Sequence, residues 1–327
     1  MAKWVLVSTE IKEPFGEEDL VFENGVGLVL GYRDSRDIRD DAPISEVMAR
    51  QEAIILRLAP GDAEWHQVYS GRGTMFRASS VGGGVVYALR EDFPRDGSRL
   101  QFIEKSTDMG ATWRPLPPLP RGVIGFRFAV GGRGWIWTAR TVLSTADDGH
   151  SWHEILRLAE ERLFKKEAEP VFEPDGAVWV PDGTRVLRVA GEKKDEFRLP
   201  NLEKADWLTL APDGSVWLVG RFGEAGPARV YRLEVGREPE LLSEIGIPHY
   251  LPLRLHVGRE VALLAGADVG PGDRPPVHFM LVSRDGGRTW TKEMPAVKAT
   301  LQPIYFETGE VVWAYANFGR IQKRMPK

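Results

Sequence analysis

Four arginines stand at matching places along the chain. Arg33, Arg90, Arg140 and Arg221 follow Gly25, Gly83, Gly134 and Gly214 by eight, seven, six and seven residues. A guanidinium is a planar fork that binds carboxylate or phosphate through paired hydrogen bonds. Around these arginines the sign of the charge alternates: Asp34, Arg36, Asp37, Glu91, Asp92 and Asp268 lie in the same kind of segment. A bare-anion site needs no acids beside it. The mixture therefore points to a charged surface that meets a protein partner. The plain alternative is a solvated crown of loops.

Other chemistries find little footing. The six histidines are His66, His150, His153, His249, His256 and His278, and none forms a His-x-His or His-Glu-x-x-His metal pattern. Cysteine is absent, which removes thiolate metal sites, disulfides and cysteine nucleophiles. Gly82-Gly83-Gly84 and Gly131-Gly132-Arg133-Gly134 each run into an apolar strand. A phosphate cradle needs a helix N-terminus at that point. No Gly-x-Ser-x-Gly elbow sits between a strand and a helix. We assign no catalytic residue, no metal and no cofactor from the sequence.

Composition limits the partners. The 327 residues carry 43 basic and 47 acidic side chains, for a net charge of −4. That balance argues against a nucleic-acid platform. Aromatic residues at 10% argue against disorder. No apolar run approaches the ~18 residues of a membrane span. The first ten residues hold only four consecutive apolar side chains, Trp4 to Val7, too few for a signal peptide. The expectation is a cytoplasmic monomer away from membranes, with a protein partner; a small-molecule or glycan ligand is the alternative.

The elements that would position the arginines are short strands. Thirty-five glycines, 23 prolines and 11 tryptophans suit an all-β chain with many turns. Seven times a turn leads into a short apolar strand: Val26 to Leu30, Val85 to Leu89, Trp135 to Ala139, Ala177 to Val180, Ser215 to Val219, Val261 to Leu264 and Val311 to Tyr315. Their spacing is that of a repeat. Two segments break the rhythm. Tyr32 to Gln51 is a long polar insertion with a short helix expected from Ser45. Glu154 to Glu169 reads as a helix packed outside.

A sharper repeat lies within this one. Ser106-Thr107-Asp108-Met109-Gly110-Ala111-Thr112-Trp113, Thr145-Ala146-Asp147-Asp148-Gly149-His150-Ser151-Trp152 and Ser283-Arg284-Asp285-Gly286-Gly287-Arg288-Thr289-Trp290 share the form [S/T]-x-D-x-G-x-[S/T]-W. The Asp carboxylate can accept backbone N–H bonds inside its own turn. The glycine supplies a left-handed position, the hydroxyls close the turn, and the Trp buries a large ring beside it. Trp65 is expected in the core with the three motif tryptophans.

On these motifs the chain resembles the Asp-box (BNR repeat) β-propellers. This group includes sialidases, xyloglucan-active glycosidases, sortilin-type domains and photosystem assembly factors. The resemblance, taken with the seven second strands counted above, gives the expectation of one seven-bladed propeller over residues 1–327, with six or eight blades as the alternatives. Its approximate blades are 11–70, 71–121, 122–165, 166–203, 204–246, 247–296 and 297–327 completed by 1–10, with the ring closed by the N-terminal strand. It also implies that Ser106, Asp108, Gly110, Trp113, Thr145, Asp147, Gly149, Trp152, Ser283, Asp285, Gly287 and Trp290 are structural. Their turns would lie opposite the face used for ligands.

The sialidase pattern itself is not met. No Arg-Ile-Pro is present; the nearest string is Arg198-Leu199-Pro200. Tyr32, Tyr87, Tyr250 and Tyr315 show no evident Glu partner in the sequence. The reading is therefore a non-catalytic binding propeller in an assembly-factor or immunity/inhibitor-type role. Its expected surface is Arg33, Asp34, Arg36, Asp37, Arg90, Glu91, Asp92, Arg140, Arg221 and Asp268. The alternatives are a sialidase-like glycoside hydrolase and a purely structural repeat module.

Overall fold

The computed structural model describes residues 3–6, 16–34, 42–94, 96, 98–158, 169–199, 202, 204–221, 227–247, 250–268, 277–294, 302–308, 311–316 and 320–325. Among the described residues, apart from one short helix, α1 (Ile44–Ala49), and one 3-10 turn, the elements are β-strands. The strands form four-stranded antiparallel sheets.

Six sheets are meanders of consecutive strands. Blade 1 is Gly16–Glu23, Val26–Arg33, Glu52–Leu58 and His66–Arg72; blade 2 is Thr74–Gly82, Val85–Asp92, Leu100–Ser106 and Arg114–Pro115. Blade 3 is Gly125–Phe128, Gly134–Trp137, Thr141–Thr145 and His153–Arg157; blade 4 is Val171–Phe172, Val178–Asp182, Arg185–Ala190 and Lys193–Arg198. Blade 5 is Lys204–Leu210, Val216–Arg221, Ala228–Leu233 and Glu240–Ile245; blade 6 is Tyr250–Val257, Ala262–Asp268, Val277–Ser283 and Thr291–Glu293. A further sheet is composite. Gln302–Thr308, Val311–Ala316 and Arg320–Met325 come from one end of the chain, and Lys3–Leu6 from the other. Lys3 pairs with Met325 and Leu6 with Gln322.

This arrangement corrects the expectation of a single seven-bladed ring. Six blades are built from continuous chain; the remaining strands form a sheet that only the two chain ends together complete. The chain also divides into two compact units. One is Ser8–Arg157 with Phe318–Arg320 and carries blades 1 to 3; the other is Met1–Val7, Leu158–Asn317 and Ile321–Lys327 and carries blades 4 to 6 and the composite sheet.

Within each unit, the second strands hold the core. Leu28, Leu30, Val86, Ala88, Ile136, Val178, Val180, Val216, Leu218 and Leu264 are almost wholly buried. Both faces of a central strand are covered, so these strands read as apolar runs rather than alternations. Side chains of neighbouring blades mesh in shared clusters: Leu28 and Ile55 with Val86, Tyr87 with Phe126 and Phe128, Trp179 with Leu218, and Trp217 with Phe279.

The three repeated turns lie between third and fourth strands. Ser106 Oγ donates to Asp108 Oδ1 (2.8 Å) and accepts from the Gly110 N–H (2.8 Å). The other oxygen, Asp108 Oδ2, accepts from Thr112 Oγ1 (2.6 Å), and Oδ1 also accepts from the Thr112 N–H (2.8 Å). The bonds of Thr145, Asp147, Gly149 and Ser151 repeat this pattern, as do those of Ser283, Asp285, Gly287 and Thr289. Glycine is required for two reasons. Gly110 and Gly287 have φ of +78° and +83°. A Cβ on Gly110 would lie 2.6 Å from Leu28 Cδ2, and one on Gly287 2.5 Å from Trp217 Cζ3. The Gly110 and Gly287 turns thus press on the second strand of the preceding blade.

Polar locks reinforce that contact. Arg57 Nε donates to the Met109 carbonyl (3.0 Å). Tyr87 Oη donates to Asp148 Oδ1 (2.6 Å), and Lys105 Nζ lies 2.5 Å from Asp148 Oδ2. Trp113, Trp152, Trp290 and Trp65 are half-buried rather than core, because their rings cover turns at the sheet margin. The expected outer helix is also corrected. His153–Arg157 is the fourth strand of blade 3, with Leu156 and Leu158 buried two apart as a strand requires. Residues 159–168 lie outside the described residues.

Candidate functional site

The strand order puts the connections between second and third strands, and between successive blades, at one end of each meander. The repeated turns are at the other. Arg33 closes the second strand of blade 1 and faces Glu52 across the register; its Nη1 lies 3.5 Å from Glu52 Oε2, and Nη2 is 3.4 Å from Gln67 Oε1. Asp34 Oδ1 accepts from Gln51 Nε2 (3.0 Å), and Gln51 Oε1 accepts from Thr74 Oγ1 (2.8 Å). The Gly73 N–H donates to the Gln51 carbonyl (2.9 Å). Both ends of the insertion are therefore tied to the junction of blades 1 and 2.

Blade 2 supplies the rest of this cluster. Arg90 Nε donates to Glu104 Oε1 (2.9 Å) and Nη1 to the Arg72 carbonyl (3.0 Å), while its guanidinium lies over the Phe102 ring. Arg72 Nε is 3.8 Å from Asp92 Oδ1. Glu91 is buried, and Oε1 accepts from Gln101 Nε2 (2.6 Å) and from Arg99 Nη2. Gly73 sits where a Cβ would lie 1.8 Å from the Glu91 carbonyl oxygen, so only glycine lets the two backbones meet.

The structure brings Arg33, Asp34, Arg90, Glu91 and Asp92 together at this junction. Arg36 and Asp37 lie outside the described residues. Arg140 sits in the exposed turn before the third strand of blade 3, its N–H on Thr138 Oγ1 (3.3 Å). Arg221 and Asp268 belong to the other unit. There Arg221 Nε is 3.2 Å from Asp206 Oδ2, and Asp206 occupies the irregularity between Ala205 and Trp207. Asp268 ends the second strand of blade 6 opposite Val277. Arg33, Arg90 and Arg221 thus each pair with a carboxylate from an adjoining strand of their own blade.

Sequence reasoning missed Glu52, Arg72, Gln101 and a tyrosine–glutamate pair. Tyr69 Oη donates to Glu104 Oε1 (3.0 Å), the oxygen that also accepts from Arg90. Burial, and then the Glu104 charge, push the Tyr69 phenol well above its usual range. The Tyr69–Glu104 bond joins the fourth strand of blade 1 to the third strand of blade 2. The sequence hid these partners because each arises from register across a long connection. Among the described residues, no group of three or more His, Asp or Glu side chains could hold a metal. Burial lowers the pKa of His278. Among the described residues, no helix is long and apolar enough to cross a membrane.

No protein-family model matches the sequence, and no curated protein matches it. Solved structures do match. The structure of YCF48 bound to D1 peptide has a TM-score of 0.68 at 16% identity, covering 99% of this chain and 96% of that one. The WD40 β-propeller domain of Doa1 has a TM-score of 0.59 at 10% identity, covering 100% and 98%. The chain has the β-propeller fold. A GH74 xyloglucanase from Xanthomonas campestris has a TM-score of 0.60 at 14% identity, covering 99% of this propeller but 54% of the enzyme. At these identities the likeness speaks of fold alone.

Proposed function

We propose that this propeller is a non-catalytic binding module of the Asp-box (BNR repeat) type. It recognises a partner protein through the charged loop ends of blades 1 and 2, in an assembly-factor or immunity/inhibitor-type role. The observation that carries the reading is α1. None of its residues is buried, and Ile44 is 78% exposed. This apolar helix stands on the insertion whose ends are tied to Thr74 and Gly73 by Gln51. An exposed apolar side chain on a half-exposed helix beside paired charges suits a protein interface, with an apolar centre and a polar rim. The internally paired arginines suit a partner carrying both signs better than a bare anion. One similar propeller, YCF48, is seen bound to a peptide.

The glycosidase alternative needs a carboxylate pair facing open space. Glu91 and Glu104 are each 2% exposed and already hydrogen-bonded. Affinity capture with wild type and Ile44→Asp, at low and high salt, tests the proposal. The expected result is one stoichiometric partner, weakened by salt and lost with Ile44→Asp at an unchanged melting temperature. Equal capture by the variant overturns it, as does hydrolysis of a chromogenic sugar panel with no partner captured.

A further inference from the structure

Blades 4 and 5 repeat one local sequence with one telling difference. Glu173-Pro174-Asp175-Gly176-Ala177-Val178-Trp179 in blade 4 corresponds to Ala211-Pro212-Asp213-Gly214-Ser215-Val216-Trp217 in blade 5. The turns are the same: Gly176 N–H donates to the Glu173 carbonyl and Gly214 N–H to the Ala211 carbonyl, both at 3.0 Å. Each Trp faces an arginine in the third strand, Trp179 opposite Arg188 and Trp217 opposite Arg232.

In blade 4 the glutamate serves both neighbours. Glu173 Oε1 accepts from Trp179 Nε1 (2.5 Å) and from Arg188 Nε (2.6 Å), and Oε2 accepts from Arg188 Nη2 (2.9 Å). In blade 5 that position is Ala211. The two corresponding donors, Trp217 Nε1 and Arg232 Nε, are buried and have no acceptor among the described residues. Arg232 Nη2 still holds Asp213 (2.9 Å) and Glu234 (2.5 Å), so the side chain is fixed in place. Where the glutamate is missing, an open cleft of about 430 Å³ runs between blades 5 and 6, lined by Ala211, Trp217, Arg232, Leu242, Arg259 and Gly286. Arg288 adds a third cation to its wall, against the acids Asp213 and Glu260.

A buried donor without an acceptor is costly, and a charged acceptor offers it the strongest bond. We propose that this cleft is a carboxylate-binding site. The ligand's carboxylate takes the place that the Glu173 side chain occupies in blade 4, accepting from Trp217 Nε1 and Arg232 Nε, with Arg259 at the entrance balancing its charge. The site lies on the repeated-turn side of blades 5 and 6. A free organic acid and an acidic side chain of a peptide both present this group.

The test follows the tryptophan indole N–H signals of the ¹⁵N-labelled full chain by NMR, with Trp217 assigned from its loss in Trp217→Phe. Sodium acetate is titrated at constant ionic strength against sodium chloride. The expected result is a saturable shift of the Trp217 signal with acetate and none with chloride. In Ala211→Glu the cleft is filled from within, so the signal starts shifted and acetate binding weakens at least about tenfold. Glu173→Ala opens the equivalent place in blade 4, and the Trp179 signal then responds to acetate; this variant carries the test should Ala211→Glu not fold. Blocked Ala-Glu-Ala and glutarate separate the two sources by which binds more tightly. A Trp217 signal that acetate leaves unmoved, that chloride moves equally, or that moves equally in Ala211→Glu overturns the proposal.

Discussion

Arg324 grips Glu293 with two nitrogens: Nε lies 2.8 Å from Oε2 and Nη2 3.0 Å from Oε1, and the arginine is wholly buried. Arg324 belongs to the composite sheet, where it pairs with Trp4, and Glu293 ends blade 6. Breaking one side of a buried pair strands the other charge, which costs about 3–5 kcal/mol. Glu293→Ala should lose that amount in urea unfolding. Arg324→Met with Glu293→Leu should recover most of it, because neither buried charge remains and Arg284, 3.7 Å from Glu293, is exposed to water. A double variant no better than the single would count against the pair as the cause.

The Lys3–Leu6 strand completes the composite sheet. Removing residues 1–9 leaves the Arg320–Met325 strand as an open edge, which both destabilises the sheet and invites pairing with other chains. The truncated chain should melt at clearly lower temperature and show concentration-dependent association by light scattering. An unchanged melting temperature would show that this pairing contributes nothing.

Gly287 and Gly149 share a φ of +83° but not their surroundings. A Cβ at 287 would meet the Trp217 ring at 2.5 Å, whereas at 149 the nearest atom is Trp152 Cζ2 at 3.4 Å. Gly149→Ala should cost only the left-handed backbone penalty, about 1–2 kcal/mol. Gly287→Ala should cost more, by a further 1 kcal/mol or about that, as the ring is forced aside. Thermal unfolding of both variants compares them directly, and equal losses would rule out the steric contribution.

Acid should weaken the repeated turns. The Thr289 hydroxyl, then its N–H and the Ser283 hydroxyl, hold Asp285 down at about 2. Asp147 is lowered in the same way, first by the Ser151 hydroxyl. A folded pKa below the unfolded value of about 3.9 means stability that is full above that pH and is lost as pH falls toward the folded value. The gap in stability between wild type and Asp285→Asn should therefore be largest near neutrality and shrink between about pH 4 and pH 2. A constant gap across that window would show that the carboxylate's charge is not what holds the turn.

The repeated turns were legible because the hydroxyl and carboxylate bonds that close each of them fall within eight residues. Once Ser106, Asp108, Gly110 and Thr112 are in sequence, the hydrogen bonds have nowhere else to go. The second strands were legible for a related reason, since a strand covered on both faces must be a continuous apolar run. The strand His153–Arg157 was misread because Ile155, Leu156 and Leu158 suit either period in so short a stretch. The α1 helix was visible in the insertion, but not its lack of burial.

The arginines show where the sequence stops. Their recurrence near the ends of four second strands was written in the chain; their partners were not. Glu52 reaches Arg33 across the insertion, Glu104 reaches Arg90 from the next strand, and Asp206 reaches Arg221 from a bulge. Glu173 and Ala211 looked like an ordinary variation between repeats until the register set Arg188 and Arg232 beside their tryptophans. The sequence by itself determined the all-β character, the second strands and the self-contained turns, because local bonds and burial periodicity depend only on neighbours in the chain. Only the tertiary structure decided which charges are paired, which donors are left over, and how the chain ends share a sheet. Those are contacts between strands far apart in sequence, and their register is set by the packing of whole sheets.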